Sequence, residues 1–165
     1  MRILVLNGPN LNRLGKRNPA VYGTTSMEQV MLNLQQAFPD VLFTYRQTNH
    51  EGCLIDILQD AVAEKEDIQS GDKEGEAVSG IIINPGGLCH TSISLRDAVE
   101  DTVGAGIKVV EVHISDISKR ETFRNVSLLS EVCSKSIIGQ GTDGYRQAAM
   151  WLIERPEKEN TAQQE

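Results

Sequence analysis

Three consecutive isoleucines, Ile81, Ile82 and Ile83, most constrain what this chain can fold into. Successive side chains of a strand point to opposite faces, so this run is apolar on both. Such strands belong to sheets covered on both sides, the usual state of parallel sheets. Gly80–Asn84 is therefore predicted as a buried strand, with others at Arg2–Leu6, Val41–Gln47, Ile107–His113 and Ser136–Gly139. Between them the apolar period changes from strand to helix. Met27, Val30, Met31, Leu34 and Phe38 mark a first helix, opened by a Ser26/Gln29 capping box. Leu54, Ile57, Leu58, Ala61 and Val62 mark a second, and Leu95, Ala98, Val99 and Val103 a third. Tyr145, Ala148, Ala149, Leu152 and Ile153 mark the last, which Pro156 should stop. Strands alternating with helices predict a flavodoxin-like doubly wound five-stranded parallel sheet, a three-layer α/β/α sandwich.

The 165 residues suit one domain with a substantial core. Net charge is -7, so no basic face for nucleic acid is expected. No apolar run approaches the roughly 20 residues of a membrane span, and the chain starts directly on a strand-like run. No signal peptide is expected, which points to the cytoplasm. Cys53, Cys89 and Cys133 fit neither a disulfide framework nor a zinc pattern. A negatively charged chain that handles an anion must meet it with a local positive site.

In open α/β sheets ligands bind beyond the carboxyl ends of the strands. The first strand is followed by Asn7, Asn10, Asn12, Arg13, Lys16, Arg17 and Tyr22. The third is followed by Asn84, Gly86, Gly87, His90, Thr91 and Ser92. The fourth ends in Glu111 and His113 and is followed by Ser115, Arg120 and Arg124. Glu111 and His113 are two apart on a strand and share a face, where a carboxylate can fix an imidazole tautomer and raise its pKa. Tyrosine is a poor base near neutrality unless a cation such as arginine favours tyrosinate. A long Gly/Pro loop would let Tyr22 and Arg17 close over a substrate.

Several blocks carry a resemblance. Asn7-Gly8-Pro9-Asn10-Leu11, Arg17, Val21-Tyr22-Gly23 and Asn49-His50-Glu51-Gly52 come first. Asn84-Pro85-Gly86-Gly87, His90-Thr91-Ser92 and Leu95-Arg96-Asp97-Ala98 follow. Glu111-Val112-His113-Ile114-Ser115, Arg120, Phe123-Arg124 and Gly144-Tyr145 complete the series. Their order across nearly the whole chain resembles the type II 3-dehydroquinate dehydratases. The resemblance implies conversion of 3-dehydroquinate to 3-dehydroshikimate plus water through an enolate, with no cofactor and no metal. It makes Tyr22 the base for a C2 proton, with Arg17 beside it, and gives Asn10 a water on the enolate oxygen. His113 would protonate the departing C1 hydroxyl, and Glu111 would orient it. Asn84, His90, Asp97 and Arg124 would hold substrate hydroxyls, and the amides of Ile114 and Ser115 its carboxylate. It also implies a homo-oligomer of trimers assembled into a dodecamer, with Asp97 reaching a neighbouring subunit's site. Residues 1–155 are expected as a single catalytic domain, with 64–79 an acidic solvated insertion and 156–165 a polar tail.

Simpler readings stand beside these. Thr91 and Ser92 can be plain helix caps, and Asn84 with Gly86 and Gly87 a tight turn. Glu51 can serve only a helix dipole, and His50 is expected to be structural. Cys89 precedes His90, but neighbours in extended chain rarely point the same way, so a thiol nucleophile is not favoured. The family commonly has Thr at that position. Gly139-Gln140-Gly141-Thr142-Asp143-Gly144 fits a dinucleotide fingerprint, so a nucleotide- or flavin-binding oxidoreductase is the alternative. No later strand is expected to carry a ribose-binding acid, and the motif is expected to be a turn. A receiver module would need an acidic strand end where Asn84 stands.

Overall fold

The computed structural model describes residues 1–16 and 24–154. Five parallel strands form one sheet in the order β2-β1-β3-β4-β5. They are β1 (Arg2–Asn7), β2 (Leu42–Gln47), β3 (Val78–Asn84), β4 (Lys108–His113) and β5 (Lys135–Ile138). Four α-helices connect and cover them: α1 (Met27–Ala37), α2 (Glu51–Ser70), α3 (Ile93–Gly104) and α4 (Asp143–Glu154). This is the expected flavodoxin-like three-layer arrangement. The reversal of strand order between β1 and β3 opens the crevice in which such folds bind ligands.

The isoleucine run divides between the faces as the strand period requires. Ile82 packs with Ile3, Val5, Val110 and Val112 beneath α1 and α4, where Leu34, Ala148 and Leu152 meet it. Ile81 and Ile83 pack with Leu4, Leu6 and Val109 beneath α2 and α3, where Leu54, Leu58 and Val99 close the layer. All three isoleucines are 0% exposed, and each burial of this kind stabilises the fold by about 1.5–3 kcal/mol. β2, at the sheet edge, is half-open along its length.

Three local expectations change. The segment 64–79, expected as an acidic solvated insertion, begins inside a helix, because α2 runs through Ser70 before Gly71 caps it in a left-handed conformation. Its Glu64 accepts from Arg2 at the start of β1 and from Lys73 at 2.8 Å, which holds its carboxyl below the usual range. The Ser26 cap is half of a capping box: Ser26 Oγ accepts from the Gln29 amide, while the Gln29 side chain turns to Asn33. β5 lies one residue earlier than expected, because Gly139 has φ +76° and leaves the strand. The polar tail lies outside the described residues. No helix of the described residues is long and apolar enough to cross a membrane.

Candidate active site

The carboxyl ends of β1, β3 and β4 meet at a cavity of about 340 Å³. Two glycines set its first wall. A Cβ on Gly8 would lie 2.5 Å from the Pro85 carbonyl oxygen, so the chain leaving β1 touches the chain leaving β3. Gly86 sits at φ +60°, and a Cβ there would meet the Pro9 carbonyl at 2.9 Å. Asn10, itself at φ +70°, is thereby carried to the rim, where its amide donates to Asn49 Oδ1 at 2.9 Å. Asparagine is among the few side chains that accept this backbone region readily.

Asn84 ends β3 and is 3% exposed. Its Oδ1 accepts from the Gly86 amide at 3.2 Å, and its Nδ2 donates to the Tyr145 hydroxyl at 3.1 Å. That hydroxyl in turn donates to Asn7 Oδ1 at 2.9 Å. Tyr145 is fully buried, and burial pushes its pKa well above the usual phenol range. The chain of bonds fixes the orientation of the Asn84 amide, which lines the cavity and uses one of its two N–H donors on Tyr145.

The far wall follows β4. Val109, Glu111 and His113 project to the α2/α3 side of the sheet, and Glu111 is 0% exposed. His113 Nε2 donates to Glu111 Oε1 at 2.7 Å. The Ser127 hydroxyl donates to the same oxygen. Ser130 and Ser136 donate to Oε2 at 2.6 and 3.1 Å. Burial alone would push the Glu111 carboxyl up; the bonds from His113 and the serines overcome it and hold the group below the usual carboxylate range. His113 lines the cavity, and Nδ1 is the ring nitrogen that Glu111 does not engage.

Ile114, Ser115, Ile117, Arg120, Phe123 and Arg124 continue this wall, and Arg13 and His90 complete it. His90 Nδ1 donates to the Val126 carbonyl at 2.7 Å, which leaves Nε2 as the acceptor of the neutral ring. Among the described residues, three arginines and two histidines line the cavity, with no aspartate or glutamate. A chain of net charge -7 thus holds a cationic pocket suited to a small anion.

The structure brings together Asn10, Asn84, His90, His113, Ile114, Ser115 and Arg124 around this cavity, with Glu111 directly behind His113. Asp97 stands apart on α3, with its side chain 63% exposed and paired with Arg96 at 3.3 Å. Arg17 and Tyr22 lie outside the described residues. Glu51 does more than serve a dipole, since it accepts from the Ser92 hydroxyl while Ser92 caps α3 through the Leu95 amide. Thr91 is exposed and makes no such cap.

Cys89 is 0% exposed, and burial, aided by the Glu111 charge, pushes its thiol up to about 12. It stays protonated at neutral pH and is no nucleophile. The ligand atoms of Cys89, Glu111 and His113 lie within 4.8 Å of one another. The 2.7 Å contact between His113 and Glu111 is a hydrogen-bond distance, shorter than the roughly 3.3 Å that separates two tetrahedral zinc ligands at bonds of about 2.0 Å. The fingerprint-like turn is used structurally: the Gly139 amide donates to the His113 carbonyl and the Gly141 amide to the Ile114 carbonyl. Gly144 packs at the start of α4 against Val112.

A family model described as dehydroquinase class II matches residues 1–153. The chain belongs to the class II dehydroquinases. Among curated relatives, the 3-dehydroquinate dehydratase of Bacillus pumilus is 43% identical, covering 91% of this chain and 92% of its own. The catabolic 3-dehydroquinase of Phaeosphaeria nodorum is 42% identical, covering 98% and 97%. The crystal structure of the type II dehydroquinase from Butyrivibrio crossotus superposes with a TM-score of 0.81 at 37% identity, covering 93% of this chain and 97% of that one. The oxidoreductase alternative is set aside with this family.

Proposed function

We propose that this chain eliminates water from 3-dehydroquinate to give 3-dehydroshikimate, a step of the shikimate pathway. One observation carries the reading: a cavity lined by Arg13, Arg120 and Arg124 whose wall holds His113, backed by the buried Glu111 carboxylate. The ketone of the substrate acidifies its C2 proton, so the reaction proceeds through an enolate without a cofactor. Tyr22, as tyrosinate beside Arg17, takes that proton. Asn10 holds a water against the enolate oxygen. The enolate then collapses, the C1–O bond breaks, and His113 delivers a proton to the leaving hydroxyl, which departs as water. Glu111 keeps the imidazole oriented and supports its charge.

Asn84, His90 and Arg124 receive the substrate hydroxyls, and the amides of Ile114 and Ser115 its carboxylate. Asp97, exposed on α3, serves the site of a neighbouring subunit in a homo-oligomer, with trimers assembled into a dodecamer. The enzyme acts in the cytoplasm, without nucleic acid or membrane as partner.

The test is incubation with 3-dehydroquinate while following the ultraviolet absorbance of the conjugated enone. Absorbance should rise with enzyme concentration. A flat trace from folded protein would overturn the reading. Borohydride added with substrate should leave no adduct on any of the seven lysines, because the carbonyl stays free.

A further inference from the structure

The Glu111 carboxylate offers about four acceptor positions, and four donors occupy them. His113 and Ser127 share Oε1; Ser130 and Ser136 share Oε2. The donor sense at Ser127 is fixed because an ionised carboxylate can only accept, and its oxygen accepts in turn from the Leu129 amide at 3.2 Å. That loop is itself pinned: Leu129 is 0% exposed, and the Leu128 amide donates to the Cys89 carbonyl at 2.8 Å. Ser136 arrives by sheet register, since it pairs directly with Glu111 across β4 and β5. None of the three serines lines the cavity.

We propose that Ser127, Ser130 and Ser136 are positioning residues for the dehydration: their hydroxyls keep Glu111 charged and aimed at His113, so that the imidazole retains the proton it delivers. This rests on the dehydration reading above. A carboxylate buried without donors takes up a proton to escape desolvation. It would take that proton from its neighbour, leaving a carboxylic acid beside a neutral imidazole, a far weaker acid than imidazolium. Among the described residues, the thiols of Cys89 and Cys133 also face Glu111, both pushed up by burial and neutral at working pH. They supply no countercharge, so the serines carry the task with His113.

Single Ser127→Ala, Ser130→Ala and Ser136→Ala variants test this. Each should lower kcat about tenfold with KM within about twofold, because the serines do not touch substrate. The acid limb of the kcat profile should move up by about one pH unit, as Glu111 protonates more readily. Ser127→Thr should restore both. In a Glu111→Gln background the same serine substitutions should cost less than about twofold more. An unmoved acid limb, or an equal loss in the Glu111→Gln background, would overturn the proposal.

A second readout needs neither turnover nor a buried deletion. The chain has three histidines, His50, His90 and His113, so ring resonances are assignable by substitution. In ligand-free Ser136→Ala protein, at a half-buried site, the step in the His113 signal that reports Glu111 titration should lie about one pH unit higher than in the unmodified protein. An unchanged step would overturn the proposal. If the unmodified enzyme fails to turn over 3-dehydroquinate, the dehydration reading fails and this arm still decides what the serines do. If it turns over and the serine variants keep its acid limb, only the present inference fails.

Discussion

Glu111 Oε1 and His113 Nε2 lie 2.7 Å apart on one face of β4, one residue wholly buried and the other bordering the cavity. The burial gradient gives the two groups different work. Glu111 cannot touch a ligand, and His113 can. His113→Ala should therefore reduce kcat by about 10²- to 10⁴-fold, the range for loss of a positioned acid, with the fold intact by circular dichroism. Glu111→Gln should also reduce kcat while leaving KM closer to normal. A His113 variant with ordinary turnover would remove the residue from the mechanism.

Acid should separate the Glu111→Gln variant from the unmodified protein in a defined sense. The folded Glu111 carboxyl lies below its usual range: burial pushes it up, but bonds from His113 and the serines hold it down by more. A depressed folded pKa contributes stability that is present above the unfolded value, near ~4.3. That contribution is lost as pH falls through the folded pKa. The gap in urea midpoint between unmodified and Glu111→Gln protein should narrow as pH falls from about 5 to below about 4. A gap that widens in acid would contradict the assigned direction.

Tyr145 links two strand ends that the cavity depends on. Its hydroxyl donates to Asn7 and accepts from Asn84, both buried. Tyr145→Phe removes the bridge and leaves two amide groups short of a partner, a cost of about 1–3 kcal/mol in chemical denaturation. Asn84 keeps only its contact with the Gly86 amide and can rotate. KM should therefore rise more than kcat falls. An unchanged KM would mean that Asn84 does not depend on Tyr145.

The layout of the fold could be read from Ile81–Ile83 and the helical periods around them, because burial on both faces leaves little choice of architecture. Asn10, Asn84, His90 and Arg124 could be placed at one sheet edge for the same reason: each follows a strand in a parallel sheet. Ser127, Ser130 and Ser136 were not identified. Two lie in an irregular loop with no period, and the third meets Glu111 only through the β4–β5 register, which local sequence does not encode. The extension of α2 into 64–79 was missed because its anchoring contact, Glu64 with Arg2, joins residues far apart in the chain. Cationic enclosure by Arg13 was within reach, since it stands in the loop after β1 among groups already marked.

Gly8 offers a sharp test of how that edge is built. Adding a Cβ there would place it 2.5 Å from the oxygen and 2.8 Å from the carbon of the Pro85 carbonyl. These are backbone atoms at the end of the central strand, so no rotamer change relieves the overlap. The Gly8 amide also donates to the Asn84 carbonyl at 2.8 Å, which ties the two exits together. Gly8→Ala should separate them, costing about 1–3 kcal/mol of stability, and should shift Asn10 relative to Asn84. Turnover should fall even at temperatures where the variant stays folded. Gly52 supplies the control: it lies in the first turn of α2, and a Cβ there meets nothing within 4 Å. Gly52→Ala should leave turnover unchanged and match or raise the urea midpoint, by up to roughly 1 kcal/mol, since alanine favours helix over glycine. Equal behaviour of the two variants would show that contact between the β1 and β3 exits does not organise the cavity.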